Sequence, residues 1–199
     1  MNQKTRKLAV IAMLSAVAFV LQFFDFPIPI MPGFIKMDVS DLPAIIGAFA
    51  LGPVSGAVIE VLKNLLHFIL DNSGTGGVGE LSNALLGIFL VVPAGLIYRR
   101  KHNKNGAIVG ALVGSVCMGI ISVPSNYFIV YPVYYNFMPQ DVILGAYQTI
   151  LPGMKSILQC LVVFNMPFTF VKGLLASIVT ILIYKPLSPL LHGKSLHSR

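Results

Sequence analysis

The chain has 199 residues, of which 56% are hydrophobic and only 11% charged, leaving too little polar surface to dissolve as a globule; it reads as an integral membrane protein. A formal charge of +7 does not point to nucleic acid, because the cations sit at the ends of apolar runs, which is how membrane topology is written. The whole of 1–199 is expected to form a single all-α membrane domain in contact with the lipid bilayer.

Six apolar segments follow one another, at 8–24, 42–51, 54–70, 78–98, 107–131 and 166–184. The first comes after Lys4, Arg6 and Lys7. A basic start and an apolar run also describe a secretory leader, but this run exceeds the usual leader core and five more follow, so a retained helix is expected. Within it Ala12 and Ala16 stand four residues apart, a spacing that lets a second helix approach closely. Gly106, Gly110 and Gly114 share that spacing, and packing within the chain accounts for it equally well.

The second segment, 42–51, covers only about half of the ~30 Å hydrocarbon core at ~1.5 Å per residue. Either the preceding MPGFIKMDVSD dips below the surface or the helix is re-entrant. Irregular backbone at that depth requires cover from protein or a water-filled cavity. A loop carrying Lys36, Asp38, Ser40 and Asp41 is therefore expected to line a cavity, with Asp41 as the helix N-cap ahead of Pro43.

In the third segment Glu60, Lys63, Asn64, His67 and Asp71 fall on one helical face. That stripe cannot face lipid, since a lone charge at mid-span costs about 2.5–3.5 kcal/mol. Two accounts stand side by side: a paired structural network, Glu60 with Lys63 and Asn64 with His67, or a stripe that lines a site for a polar ligand. The fourth segment puts Glu80, Asn83 and Gly87 on one face; the fifth carries Asn126 between Pro124 and Pro132; the sixth aligns Asn165, Thr169 and Lys172. Lys172, with no acid three or four residues away, needs a partner from another element or a ligand. Tyr131, Tyr134 and Tyr135 read as an aromatic belt at the membrane surface. The stretch 138–164 admits short interfacial helices or an external cap.

With both termini cytoplasmic, ten of the 14 Lys and Arg residues fall inside, at Lys4, Arg6, Lys7, Arg99, Arg100, Lys101, Lys104, Lys185, Lys194 and Arg199, and no acid joins them. The positive-inside rule then gives six crossings with N- and C-termini in the cytoplasm. The polar groups of the spans collect on the opposite, outer side. They suit a flat, partly apolar molecule with a hydrogen-bonding edge. GTGGVGE lacks the Gly-Lys-Ser/Thr ending of a phosphate loop, Cys117 and Cys160 have no metal spacing, and neither HExxH nor GxSxG occurs. No metal site is expected, and an intramembrane enzyme using Glu60 and His67 is the weakest reading.

The segments KMDVSDLPAIIGAFALGP, EVLKNLLHF, GELSNALLG, PSNYFIVYP and NMPFTFVKG together resemble the substrate-capturing S components of energy-coupling factor (ECF) vitamin transporters, and among them the riboflavin-specific branch. The likeness runs from the first helix to the sixth. It implies a six-helix bundle that takes up a vitamin at its outer face, closed over by the loop after the first helix, with riboflavin as the transported ligand and no cofactor. It also implies a transmembrane coupling subunit and two cytoplasmic ATPases as partners. By position it assigns ligand contacts to Met37, Asp38, Leu42, Glu80, Asn83, Asn126, Asn165, Thr169 and Lys172, with Thr169 standing where the riboflavin branch would carry asparagine. Docking of the coupling subunit goes to Ala12 and Ala16. An S component for another vitamin, thiamine or pantothenate, is the alternative.

Overall fold

The computed structural model describes residues 2–71 and 76–192, with side chains described as far as 183. The glycine-rich turn at 72–75, the side chain of Lys185, and Lys194 and Arg199 lie outside the described residues. Five helical stretches are long and apolar enough to cross a membrane, Gln3–Gln22, Pro53–Leu70, Val78–Arg100, Lys104–Tyr134 and Ile157–Ile183, and Leu42–Leu51 is a shorter apolar helix.

Helix α1 (Gln3–Gln22) begins at Asn2, whose side chain accepts from the Lys4 N–H. It buries Ile11, Leu14, Ser15, Ala18 and Gln22, a single stripe by helical spacing. The opposite face, including Ala12, Met13, Ala16 and Val17, is exposed. After α1 the chain forms a short antiparallel hairpin, β1 (Phe26–Pro27) with β2 (Lys36–Met37), in the register Phe26 to Met37 and Pro27 to Lys36.

Helix α2 (Leu42–Leu51) is the most enclosed of the helices, with Pro43 through Phe49 all buried. Asp41 occupies its N-cap position but does not cap it: its backbone is already helical, and its carboxylate is taken by Lys63 instead. Gly52, at φ 97°, ends α2, and Pro53 opens α3 (Pro53–Leu70) at once. The resulting helical hairpin closes tightly, because Gly56 lies where a Cβ would sit 2.9 Å from the Ala44 carbonyl oxygen.

Helix α4 (Val78–Arg100) packs against α5 (Lys104–Ser125). A Cβ at Gly110 or Gly114 would stand 2.7 Å from the Ala94 oxygen or 2.3 Å from the Leu90 oxygen, so these glycines set the approach of the two helices. Beyond α5 the helix widens into a π-helical stretch, Asn126–Val130, before one turn of α6 (Tyr131–Tyr134). The segment that follows contains α7 (Gln140–Ile150). The last span then starts at Ile157 with α8 (Ile157–Cys160), widens again at Leu161–Asn165, and continues as α9 (Met166–His192).

This start lies nine residues ahead of the 166 expected from sequence. Pro167 lies inside this longer helix, where proline lacks an N–H and collides with the preceding turn. The wide turn before it, in which the Met166 N–H reaches the Leu161 oxygen, gives the backbone another way through. Pro132 is accommodated in the same manner, with the Tyr131 N–H bonded to the Asn126 oxygen.

One apolar core joins α1 to α5 and α9 around Leu14, Ile45, Ile59, Leu90 and Met118. A second, at the end where α4 begins and α5 ends, collects Val78, Val130, Ile143, Tyr147 and Leu161.

Candidate functional site

A cavity of about 300 Å³ lies at the end of the bundle where α1 ends, α4 begins, α5 ends and the last span begins. Its size is at the lower limit of ligand pockets, roughly 300–1,000 Å³. Of the residues expected at a ligand, Asp38, Glu80, Asn83, Asn126, Asn165, Thr169 and Lys172 line it. Met37 and Leu42 do not: Met37 is the buried residue of β2, and Leu42 packs against the core. The hairpin loop adds Phe34 and Ile35, α1 adds Gln22, and Met118 and Phe168 complete an apolar wall.

Two buried polar clusters border this space. The first is ionic. Lys172 Nζ donates to Asp38 Oδ2 at 2.7 Å and lies 4.0 Å from Asp41 Oδ2. Lys63 donates to Ser40 Oγ at 2.9 Å, pairs with Asp41, and stands 2.9 Å from Glu60 Oε2. The Ser40 N–H and hydroxyl both donate to Asp38 Oδ1, at 2.8 and 2.6 Å. Every member is buried, so the cost of removing these charges from water is met only by their mutual pairing. Burial alone would raise the Asp38 pKa, yet the ammonium groups of Lys172 and Lys63 and the hydrogen bonds from Lys172 and Ser40 hold its carboxyl well below the usual carboxylate range. The partner that Lys172 required is therefore a carboxylate of the loop. Gly87 makes room for the network, since a Cβ there would fall 2.3 Å from Glu60 Oε2.

The stripe on α3 is divided between both accounts given for it. Glu60 and Lys63 pair as expected for a structural network. Asn64 does not meet His67; it donates to the Glu60 carbonyl at 2.8 Å and accepts from Gln22 at 3.3 Å, because α1 packs over it. His67 reaches the cavity, with Nδ1 3.0 Å from Glu80 Oε1 and Nε2 3.3 Å from Asp71 Oδ2.

The second cluster is uncharged. The hydroxyls of Tyr131 and Tyr147 are 2.6 Å apart, and Tyr147 donates to Asn165 Oδ1 at 2.6 Å. Tyr131, read from sequence as a residue of the membrane belt, is 3% exposed and lines the cavity, as does half-buried Tyr134. The wide turn at Asn126–Val130 and the cover from α7 draw Tyr131 inward. Nothing in the spacing of Gln22, Phe34 or Tyr147 singled them out, since each depends on how the loop and α7 fold back. Asn126 Nδ2 donates to the Ser122 oxygen at 2.7 Å, which leaves its own carbonyl oxygen for the cavity.

Residues 6–184 match the family described as ECF transporter, substrate-specific component. The chain is 33% identical to the riboflavin transporter FmnP of Bacillus subtilis over 94% of each chain, and 34% identical to the riboflavin transporter RibU of Staphylococcus aureus over 94% of this chain and 92% of that one. RibU of Streptococcus thermophilus is 36% identical over 94% of this chain and 85% of its own. Among solved structures, one described as the S component of a bacterial ECF transporter superposes with a TM-score of 0.74 at 34% identity, covering 95% of this chain and 99% of that one. A multi-pass bundle of apolar helices, matched along nearly its full length in sequence and in structure, is a member of the ECF transporter substrate-specific component family.

Proposed function

We propose that this chain is the riboflavin-binding subunit of an ECF transporter and that the 300 Å³ cavity receives the vitamin. The observation that carries the reading is the composition of the cavity wall: amides of Asn83, Asn126 and Asn165 and the Lys172–Asp38 pair face a space walled by Phe34, Met118, Tyr131 and Phe168. Flat apolar walls suit an aromatic ring system, while a few placed polar groups fix its edge and satisfy its hydroxyls. The names of the relatives support the same ligand. Purified chain should be yellow as isolated or quench added riboflavin fluorescence with one-to-one stoichiometry. A colourless protein stabilised against heat by thiamine or pantothenate, and not by riboflavin, would transfer the assignment to another vitamin.

The rest of the cycle follows from placement. Lys4, Arg6, Lys7 and the Arg99–Lys104 loop lie at the end opposite the cavity, which supports a cavity open to the exterior, both termini in the cytoplasm and six crossings counting short α2. Energy would come from a coupling subunit with two ATPases. Ala12 and Ala16, exposed on α1 with no packing role inside the bundle, are the proposed surface for that subunit, in contrast to Gly110 and Gly114, which are used internally. Ala12→Trp and Ala16→Trp should each leave riboflavin affinity unchanged while abolishing uptake in cells. Normal uptake in both variants refutes the docking surface.

A further inference from the structure

Tyr147 is wholly buried on α7 and does not itself line the cavity. Its hydroxyl donates to Asn165 Oδ1 and touches the hydroxyl of Tyr131, each at 2.6 Å. A phenol has one proton to give. Because that of Tyr147 goes to Asn165, the proton between the two phenols belongs to Tyr131, and the chain of donation runs from Tyr131 through Tyr147 to Asn165. Burial pushes the Tyr147 phenol far above its ordinary range, so the proton stays in place under all working conditions.

Two properties of the cavity wall follow. Asn165 has its carbonyl oxygen engaged, which leaves its N–H groups to donate. Tyr131 has its proton turned away, which leaves its oxygen only able to accept. Both residues line the cavity. We infer that Tyr147 is a positioning residue that sets a donor beside an acceptor on this wall, and thereby selects ligands whose edge carries a carbonyl next to an N–H, as in an imide or lactam. The inference rests on the riboflavin reading, since the flavin ring system ends in such an imide.

The test uses the purified full chain with two probes, riboflavin and riboflavin methylated on its imide nitrogen, which keeps the carbonyls and loses the donor. Wild-type protein should prefer riboflavin by about tenfold or more, the effect of one buried hydrogen bond and the group it leaves stranded. In Tyr147→Phe the Tyr131 proton is released toward the cavity; riboflavin should weaken by about tenfold while the methylated probe changes little, so that the preference collapses toward one. Tyr131→Phe, which removes the acceptor itself, should collapse the preference in the same way. Asn165→Asp can still accept from Tyr147 but offers the ligand no N–H, so both probes should weaken together with the preference retained. Equal weakening of both probes in Tyr147→Phe, as a merely structural tyrosine would give, overturns the inference, and so does an unchanged preference. Failure of the wild-type chain to bind either flavin is a different result: it overturns the riboflavin reading, and this inference with it.

Discussion

The ionic cluster under the loop and the hydroxyl–amide cluster under α7 border one cavity and are built on different physics. The first holds Asp38, Asp41 and Glu60 against Lys63 and Lys172, all buried. The second holds Tyr131, Tyr147 and Asn165 without a formal charge. Charges taken out of water are expensive, so the ionic wall tolerates no missing partner. The neutral wall carries a smaller penalty per group and specifies direction, because each hydroxyl proton has one destination. One wall fixes where the loop sits; the other fixes which edge the cavity accepts.

The largest expected effect breaks the ionic wall at its centre. Lys63→Met leaves Asp41 and Glu60 facing each other without their cation and should destabilise the protein by about 3–5 kcal/mol, read as loss of monodisperse protein on heating. Adding Asp41→Asn should recover part of that loss, and no recovery would show that Lys63 acts by packing alone. Next, Lys172→Ala strands Asp38 at the cavity and should weaken riboflavin by about 1–3 kcal/mol in a fluorescence titration; unchanged affinity removes Lys172 from the site. On the neutral wall Tyr147→Phe should cost only about 0.5–1.5 kcal/mol of stability in the same heating assay, and a loss as large as that of Lys63→Met would erase the distinction between the walls.

The smallest effect expected is that of pH. Asp38 has its folded pKa depressed from an ordinary 3.8, so its contribution is complete above that value and disappears only as pH falls through the lower folded one. Riboflavin affinity should therefore show no titration attributable to Asp38 from mildly acidic to mildly alkaline buffer. An Asp38→Asn variant, compared with wild type across that range, checks this: any pH dependence present only in the wild type contradicts it.

Much of the bundle could be read from the chain. Hydropathy located α2 and α3 to within a residue, and the structure shows Gly52-Pro53 making the break between them. The polar faces of α4, α5 and the last span pointed to Asn83, Asn126, Asn165, Thr169 and Lys172, since a polar group in a span must face protein or a cavity. What was hidden depends on contacts between distant segments. Lys172 finds Asp38 across 134 residues, and Tyr147 becomes part of the site only because α7 folds onto Tyr131 and Asn165. The early start of the last span runs through the widened turn at Leu161–Asn165, which the pattern of apolar residues does not mark.

Those widened turns, Asn126–Val130 and Leu161–Asn165, each bear one cavity asparagine and each precede a proline by two residues. A π-helical turn holds one residue more than the α-helix around it, so each behaves as an inserted residue stored in the backbone. Deleting a residue there would let the turn close as a regular α-helix with the flanking helices near their present register, and would re-aim the side chains carried on the turn itself, Asn126 and Asn165 among them. Such a deletion would scarcely alter the hydropathy profile, and the shortened chain would still insert as the same bundle. It would carry its amides pointing elsewhere, which makes chain length at these two turns, rather than residue identity alone, part of what the receptor encodes.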